Sequence, residues 1–269
     1  MKIVHVETGR RFYGGPQQVI WLIRGLADRG VESVLVCPPG SKIDDVARRE
    51  NLTIVNIPCA GEADFPFAWR LAKCLRRQKA DILHCHSRRG ADFPGGWAAK
   101  LSRTPAIVTR RVDSPESPTA AAIRYAPFRK VIAISDNVEA VLRKSRVRNR
   151  KLATIRSAVA VDAMMPNVDR AILHREFDIP VGAYAIAVVA QLIKRKGHRF
   201  LLDVLPGLLA EHPGIKVVFF GEGSSETQLR ALTSKLGLSG AVRFAGFRDD
   251  LDDYLAALSL IHISEPTRH

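Results

Sequence analysis

The sequence predicts an α/β protein made of two Rossmann-like domains, the second of them incomplete. Three observations carry this. Short β-branched or apolar runs alternate with longer stretches of helical periodicity along nearly the whole chain, as in parallel sheets covered on both faces. The same grammar restarts after residues 161–182, where Pro166, Pro180 and Gly182 cluster around a short helical stretch. The length of 269 residues, with 46% hydrophobic and 25% charged side chains, suits two globular domains. The expected layout is residues 1–163 as a first domain and 164–258 as a partial second one, with 259–269 as a tail foreign to the fold.

The first domain opens with a strand over residues 2–6 and a glycine-containing loop over 9–16. Val19, Ile20, Leu22, Ile23 and Leu26 then form the apolar stripe of a helix over 17–29, stopped by Gly30. Strands follow over 32–37, 53–57, 82–86, 106–110 and 130–134. Helices are read over 41–51, 66–78, 92–101 and 137–144, the last capped by Ser135. In the second part, strands over 184–191, 215–220 and 241–245 alternate with helices over 198–212 and 226–236. A further helix begins over 251–258.

The four cysteines, Cys37, Cys59, Cys74 and Cys85, form no C-x-x-C pair and read as free thiols in a reducing compartment. The opening M-K-I-V-H-V-E is broken by a histidine and a glutamate too early for a secretory signal. The longest apolar run, 184–190, falls far short of the ~20 residues that span a bilayer. A cytoplasmic protein is expected, free or bound to the inner face of the membrane. Of the net charge of +14, all lies in residues 1–165, with 29 Lys and Arg against 15 Asp and Glu; residues 166–269 balance at 12 and 12. Such asymmetry points to an acidic partner, although a solvated basic surface gives the same count. A nucleic-acid partner is excluded by the 7% aromatic content and the lack of any reader motif.

Several loops carry candidate chemistry. Gly14 and Gly15 lie between the first strand and first helix, where backbone can approach a ligand and a helix N-terminus favours an anion. This is not G-x-G-x-x-G, and a plain turn would also use glycine. In A-D-I-L-H-C-H-S-R-R-G, His84 and His86 share one face of a strand. A metal site would need third and fourth ligands that the sequence does not identify. Structural histidines, or a cleft histidine at the strand's carboxyl end, remain the other readings, with His86 the better cleft candidate. In V-V-A-Q-L-I-K-R-K-G-H, Lys196 and Gly197 stand just before a helix, a setting that suits a diphosphate or an ordinary basic loop. The next two strands end at Gly221 and Gly223, and at Gly246 followed by Phe247. Three successive strands ending in glycine describe a rim along which a nucleotide can lie.

Taken together these motifs resemble the retaining GT-B glycosyltransferases of family four. The opening strand with its G-G loop, D-I-L-H-C-H, A-I-S-D, the K-G loop, G-E-G and F-A-G-F-R-D-D-L fall in that family's order and spacing, from Met1 to about Leu260. The resemblance implies an acceptor-binding first domain and a nucleotide-sugar-binding second domain. It places the family's cleft histidine on His86, near the transferred sugar, and its phosphate-binding lysine on Lys196. The G-E-G and G-F loops would lie along the nucleotide. The family's usual arginine five residues before that lysine is Gln191 here, so diphosphate binding leans on Lys196, helped by Lys194 or Arg195. The family continues with two glutamates eight positions apart, for which Glu265 is no substitute, and residues 259–269 do not resemble the strand expected there. A truncated, inactive transferase joined to adapter sequence is therefore the expectation.

The implied reaction moves a sugar from a nucleotide-diphosphate sugar, a co-substrate, to a hydroxyl of an acidic glycolipid or saccharide such as a lipopolysaccharide core. No other cofactor and no metal is expected, because Lys196 and backbone N–H groups can carry the leaving charge. The segment 109–113, T-R-R-V-D, could line the acceptor side. The basic run from Arg143 to Lys151 could meet anionic membrane. A sugar-nucleotide epimerase on the same scaffold and a non-catalytic binder of anionic membrane are the competing readings.

Overall fold

The computed structural model describes residues 1–86, 88–159, 171–248, 250–255 and 257–262. The chain divides into two compact units, Met1–Ala158 and Val159–His269.

Unit 1 is a seven-stranded sheet, all of whose pairs are parallel. Its strands are β1 (Lys2–Val6), β2 (Glu32–Cys37), β3 (Ile54–Asn56), β4 (Ile82–Cys85), β5 (Ala106–Arg110), β6 (Lys130–Ala133) and β7 (Leu152–Thr154), in the order β3-β2-β1-β4-β5-β6-β7. Its helices are α1 (Gly14–Ala27), α2 (Lys42–Arg49), α3 (Phe65–Arg77), α4 (Phe93–Ser102), α5 (Pro118–Tyr125) and α6 (Asp136–Lys144). Alternation along the strands divides the core in two. Val4, Val6, Leu83 and Cys85 face α3–α6, and Leu35 and Cys37 face α1 and α2. Ser135 accepts a hydrogen bond from the Val138 N–H at 3.3 Å, the cap read from the sequence.

Unit 2 holds α7 (Ala171–Phe177), β8 (Tyr184–Val189), α8 (His198–Glu211), β9 (Ile215–Phe220), α9 (Glu226–Lys235), β10 (Val242–Gly246), α10 (Asp252–Leu255) and β11 (Leu260–His262). The sheet order is β10-β9-β8-β11, again parallel throughout. Ile186 and Val188 pack on one side with Leu202, Leu205 and Leu229. Ala185 and Ala187 pack on the other with Leu173 and Tyr254.

Two expectations are corrected. Residues 111–129, left without an element by the sequence, contain α5, whose Ser117 cap accepts from the Ala120 N–H at 3.3 Å and whose first residue is Pro118. The second sheet does not stop at a helix either. Leu260–His262 pairs with Ile186–Val188, and the Ser259 N–H donates to the Ala185 carbonyl at 2.8 Å. Residues 260–262 are β-branched or apolar enough to add a strand at the open side of β8, whatever their resemblance to the expected motif. Residues 263–269, including Glu265, lie outside the described residues. No helix among the described residues is long and apolar enough to cross a membrane.

Candidate functional site

In a doubly wound sheet, ligands bind beyond the carboxyl ends of the strands where the order reverses. In unit 1 that point lies between β1 and β4. The β1–β4 register sets His5 directly beside His84, and two residues on from His84 the period of the strand returns His86 to the same face. Three histidines therefore meet at the switch point. His5 Nδ1 and His86 Nε2 are 3.0 Å apart, the His84 and His86 ring centroids 3.8 Å apart. All three are buried, and burial holds each imidazole neutral: His5 is lowered to about 4, and His84 and His86 fall well below the usual histidine value. His84 Nε2 lies 2.7 Å from Thr109 Oγ1. Neither His5 Nε2 nor His86 Nδ1 has a hydrogen-bond partner among the described residues.

The T-R-R-V-D segment resolves into separate tasks. Thr109 holds His84. Arg110 is structural: its Nε donates to the Val112 carbonyl at 2.8 Å and its Nη2 to the Ser114 carbonyl at 2.6 Å, with Glu116 at 3.6 Å. Arg111 belongs to the crevice. Its charge lowers the basicity of His84 and His86, Glu7 attracts it in turn, and its Cδ lies 3.6 Å from where a Cβ on Gly15 would stand. Gly14 and Gly15 open α1, whose first turn carries no side-chain cap and no acidic residue. Its N–H groups are thus available to an anion. The sequence reading missed His5, and it held Arg111 only as one member of the segment 109–113. The clue was there for His5: a histidine near the carboxyl end of each central strand of a Rossmann-like sheet.

In unit 2 the loops after β8, β9 and β10 are joined backbone to backbone. The Leu192 N–H donates to the Glu222 carbonyl at 3.0 Å, Ser225 N–H to the Leu192 carbonyl at 2.8 Å, and Gly221 N–H to the Gly246 carbonyl at 2.7 Å. These contacts explain two of the rim glycines. A Cβ on Gly221 would stand 2.2 Å from the Ala190 carbonyl oxygen, and one on Gly223 2.3 Å from that of Leu192. Packing is enough to demand glycine at both, and Gly221 also sits at φ +140°. Gly246 has φ +71° and a Cβ there would meet nothing, so its requirement is conformational. Phe247 beyond it is exposed.

The joined loops hold the entry to α8. Lys194–Lys196 form a single 3₁₀ turn, Gly197 caps it at φ +73°, and α8 starts at His198 with no side-chain cap and no acidic residue in its first turn. Lys194 and Arg195 are exposed, while Gln191, Lys196 and Gly197 are half-buried. Three cations before the uncapped N-terminus of a 14-residue helix, beyond the carboxyl end of β8, are an arrangement that can receive a polyanion.

The chain is similar to known proteins over both of its units. Residues 13–163 match the family model described as Glycosyltransferase Family 4, and residues 169–264 match Glycosyl transferases group 1. The chain is 27% identical to the lipopolysaccharide core biosynthesis glycosyltransferase LpsE of Rhizobium meliloti (strain 1021), covering 98% of this chain and 72% of that protein. It is 23% identical to LpsD of the same organism, over 96% and 69%. Among solved structures, Anabaena Alr3699/HepE in complex with UDP and glucose superposes with a TM-score of 0.85 at 17% identity, covering 98% of this chain and 74% of that one. At that identity the likeness speaks for the fold.

Proposed function

Because the chain belongs to Glycosyltransferase Family 4, whose model spans more than half of it, we propose that it transfers a sugar from a nucleoside-diphosphate sugar to a hydroxyl of an acidic glycolipid of the lipopolysaccharide-core type. The observation that carries this reading is the cationic turn Lys194–Lys196 set against the uncapped N-terminus of α8. As the anomeric bond breaks, negative charge grows on the leaving diphosphate. Oriented N–H groups and Lys196 stabilise that charge more in the transition state than before it. Gln191 supplies hydrogen bonding but no charge in this role. The Gly221–Gly223 loop and Gly246–Phe247 would flank the nucleotide. The family resemblance further implies retention of configuration, with the leaving phosphate taking the acceptor's proton.

On the acceptor side, Arg111 and the N-terminus of α1 at Gly14 and Gly15 offer positive potential to an acidic acceptor, and His86 is the side chain proposed to meet the sugar. The relatives' association with lipopolysaccharide core synthesis supports this acceptor class. So does the excess of basic residues in the first part of the chain. A cytoplasmic protein held peripherally at the inner face of the membrane fits this acceptor.

Calorimetry with UDP and GDP tests the donor site. Replacing Lys196 by Ala removes one charge-assisted contact, expected to cost on the order of 1.5–3 kcal/mol in affinity. Unchanged affinity would remove the diphosphate from this loop. Mass spectrometry of products over a panel of nucleotide sugars, with and without a phosphorylated core acceptor, tests the reaction. Acceptor-independent conversion of the nucleotide sugar would replace transfer by epimerisation.

A further inference from the structure

We propose that unit 1 carries a receptor for the phosphate of an anionic lipid headgroup, in the cavity between α5 and the segment 146–151 that leads from α6 into β7. The site goes beyond the transferase reading and does not rest on it. It lies where β6 and β7 begin, at the opposite end of the parallel sheet from the histidine crevice.

Three observations carry it. The first is the space. Ala121, Ala122 and Ala126 of the α5 segment line the cavity, and their small side chains leave about 210 Å³. Pockets for drug-sized ligands begin at about 300 Å³, so this one suits a headgroup and not a nucleotide.

The second is the charge. Arg146, Arg148 and Lys151 line the cavity, and no acidic residue does. Arg143 and Arg156, nearby in the chain, are paired with Glu139 and Asp136, whereas Arg146, Arg148 and Lys151 meet no carboxylate among the described residues. Lys151 donates to the Tyr125 and Ala126 carbonyls, both at 2.9 Å, which fixes the ammonium and leaves its third N–H for a ligand. Burial and the charges of Arg148, Arg150 and Lys100 lower its basicity, so like charges gather here. An anion with several acceptor oxygens relieves that repulsion, and forked guanidinium groups match phosphate.

The third observation identifies the carrier. Lys100, whose charge reaches Lys151, belongs to α4 and stands 5.3 Å from the Trp97 ring. Trp97 and Leu101 on α4 and Ile123 on α5 are exposed. Apolar side chains exposed beside a cationic pocket suit an amphiphile whose phosphate enters the cavity while these side chains enter the bilayer interface. A soluble phosphate ester makes no use of them.

The test is sedimentation of the chain with phosphatidylcholine vesicles that hold either phosphatidic acid or phosphatidylserine at equal surface potential. Binding to the phosphatidic acid vesicles should be several-fold tighter. Arg146→Gln combined with Arg148→Gln, both at exposed side chains, should abolish that preference. Arg29→Gln combined with Arg49→Gln removes the same charge from the α1 and α2 side of the sheet and should retain it. Equal binding to the two vesicles, or a preference that survives the Arg146 and Arg148 changes, overturns the site. Calorimetry with glycerol 3-phosphate separates the sources: binding as tight as that to the vesicles would give the cavity to a soluble ester and overturn the lipid.

Discussion

A methyl group at position 223 separates the two things a rim glycine can do. The Cβ of Gly223→Ala would stand 2.3 Å from the Leu192 carbonyl oxygen and 2.6 Å from its carbon, neither of which can swing away. Overpacking of this kind costs typically 1–3 kcal/mol, so thermal denaturation should show a lowered midpoint for unit 2. The same change at Gly14, where a Cβ meets nothing within 4 Å, should leave stability within about 1 kcal/mol of wild type. Equal midpoints for the two variants would refute the joined-loop account. A second single-residue prediction concerns Asp92. Loss of water pushes its carboxyl up to about 6, against the pull of Arg124 at 2.8 Å and of the Phe93 N–H, while Glu62 adds to the rise. The folded protein therefore keeps a proton that the unfolded chain releases near 3.8. Stability from this group is full below the unfolded value and is lost as pH rises through about 6. Two units correspond to on the order of 3 kcal/mol. Relative to Asp92→Asn, the wild type should gain about that much between pH 7 and pH 4 in denaturant titrations; parallel curves would count against it. What the sequence showed at this scale followed chain-local spacing: His84 and His86 share a face because they are two apart. His5 joins them only through β1–β4 pairing across about eighty residues, and no local pattern records a register.

Strands announced themselves because each is a compact run of β-branched or apolar residues. The expected 2–6, 32–37, 106–110 and 215–220 coincide with β1, β2, β5 and β9. Helix α5 did not, since its alanines set up no stripe; only Ala121 and Tyr125 are buried. Strand β11 was hidden for a different reason. Three residues are too few for periodicity, and their partner on β8 makes them a strand. Helices α3 and α4 show a feature that composition concealed. Phe65 and Trp69 on α3, and Trp97 and Leu101 on α4, are exposed, with Lys73 5.7 Å from the Trp69 ring and Lys100 5.3 Å from that of Trp97. The two helices are tied together by Arg76, which donates to the Leu101 carbonyl. Aromatic rings beside cations are what the interface of an anionic bilayer accepts. The run 143–151 contributes less than its count implies. Arg143 is engaged by Glu139 and Asn149, and Lys151 by the Tyr125 and Ala126 carbonyls. Sedimentation with anionic vesicles should capture the protein at low salt and release it as salt rises, because exposed charges are screened over about 8–10 Å. Replacing Trp69 and Trp97 together by Ala should cut the bound fraction several-fold. Capture by neutral vesicles to the same extent would dismiss the electrostatic part.

At the scale of the whole molecule, each unit has its own sheet and its own core. Among the described residues unit 1 has seven strands and unit 2 four, so residues 1–158 expressed alone should unfold in a single cooperative thermal transition with the circular dichroism of an α/β domain. A gradual, non-cooperative melt would mean that unit 1 depends on the remainder of the chain. The sequence made the two-unit plan visible because the strand–helix alternation restarts, while the number of strands in the second unit depended on a pairing it could not display. That pairing has a consequence for how the protein is made. Each sheet grows by adjacent additions except at its one reversal: β8, the second strand in from its edge, waits for β11, and β1 waits for β4. On the ribosome the last strand of unit 1 is finished at Thr154, and the partner that completes β8 only at His262. At ordinary elongation rates the second sheet lags the first by about 5–20 s. From Val189 to His262, about 4–15 s at the same rates, one flank of β8 remains unpaired, and the nascent chain is then most exposed to mispairing with its neighbours on a polysome.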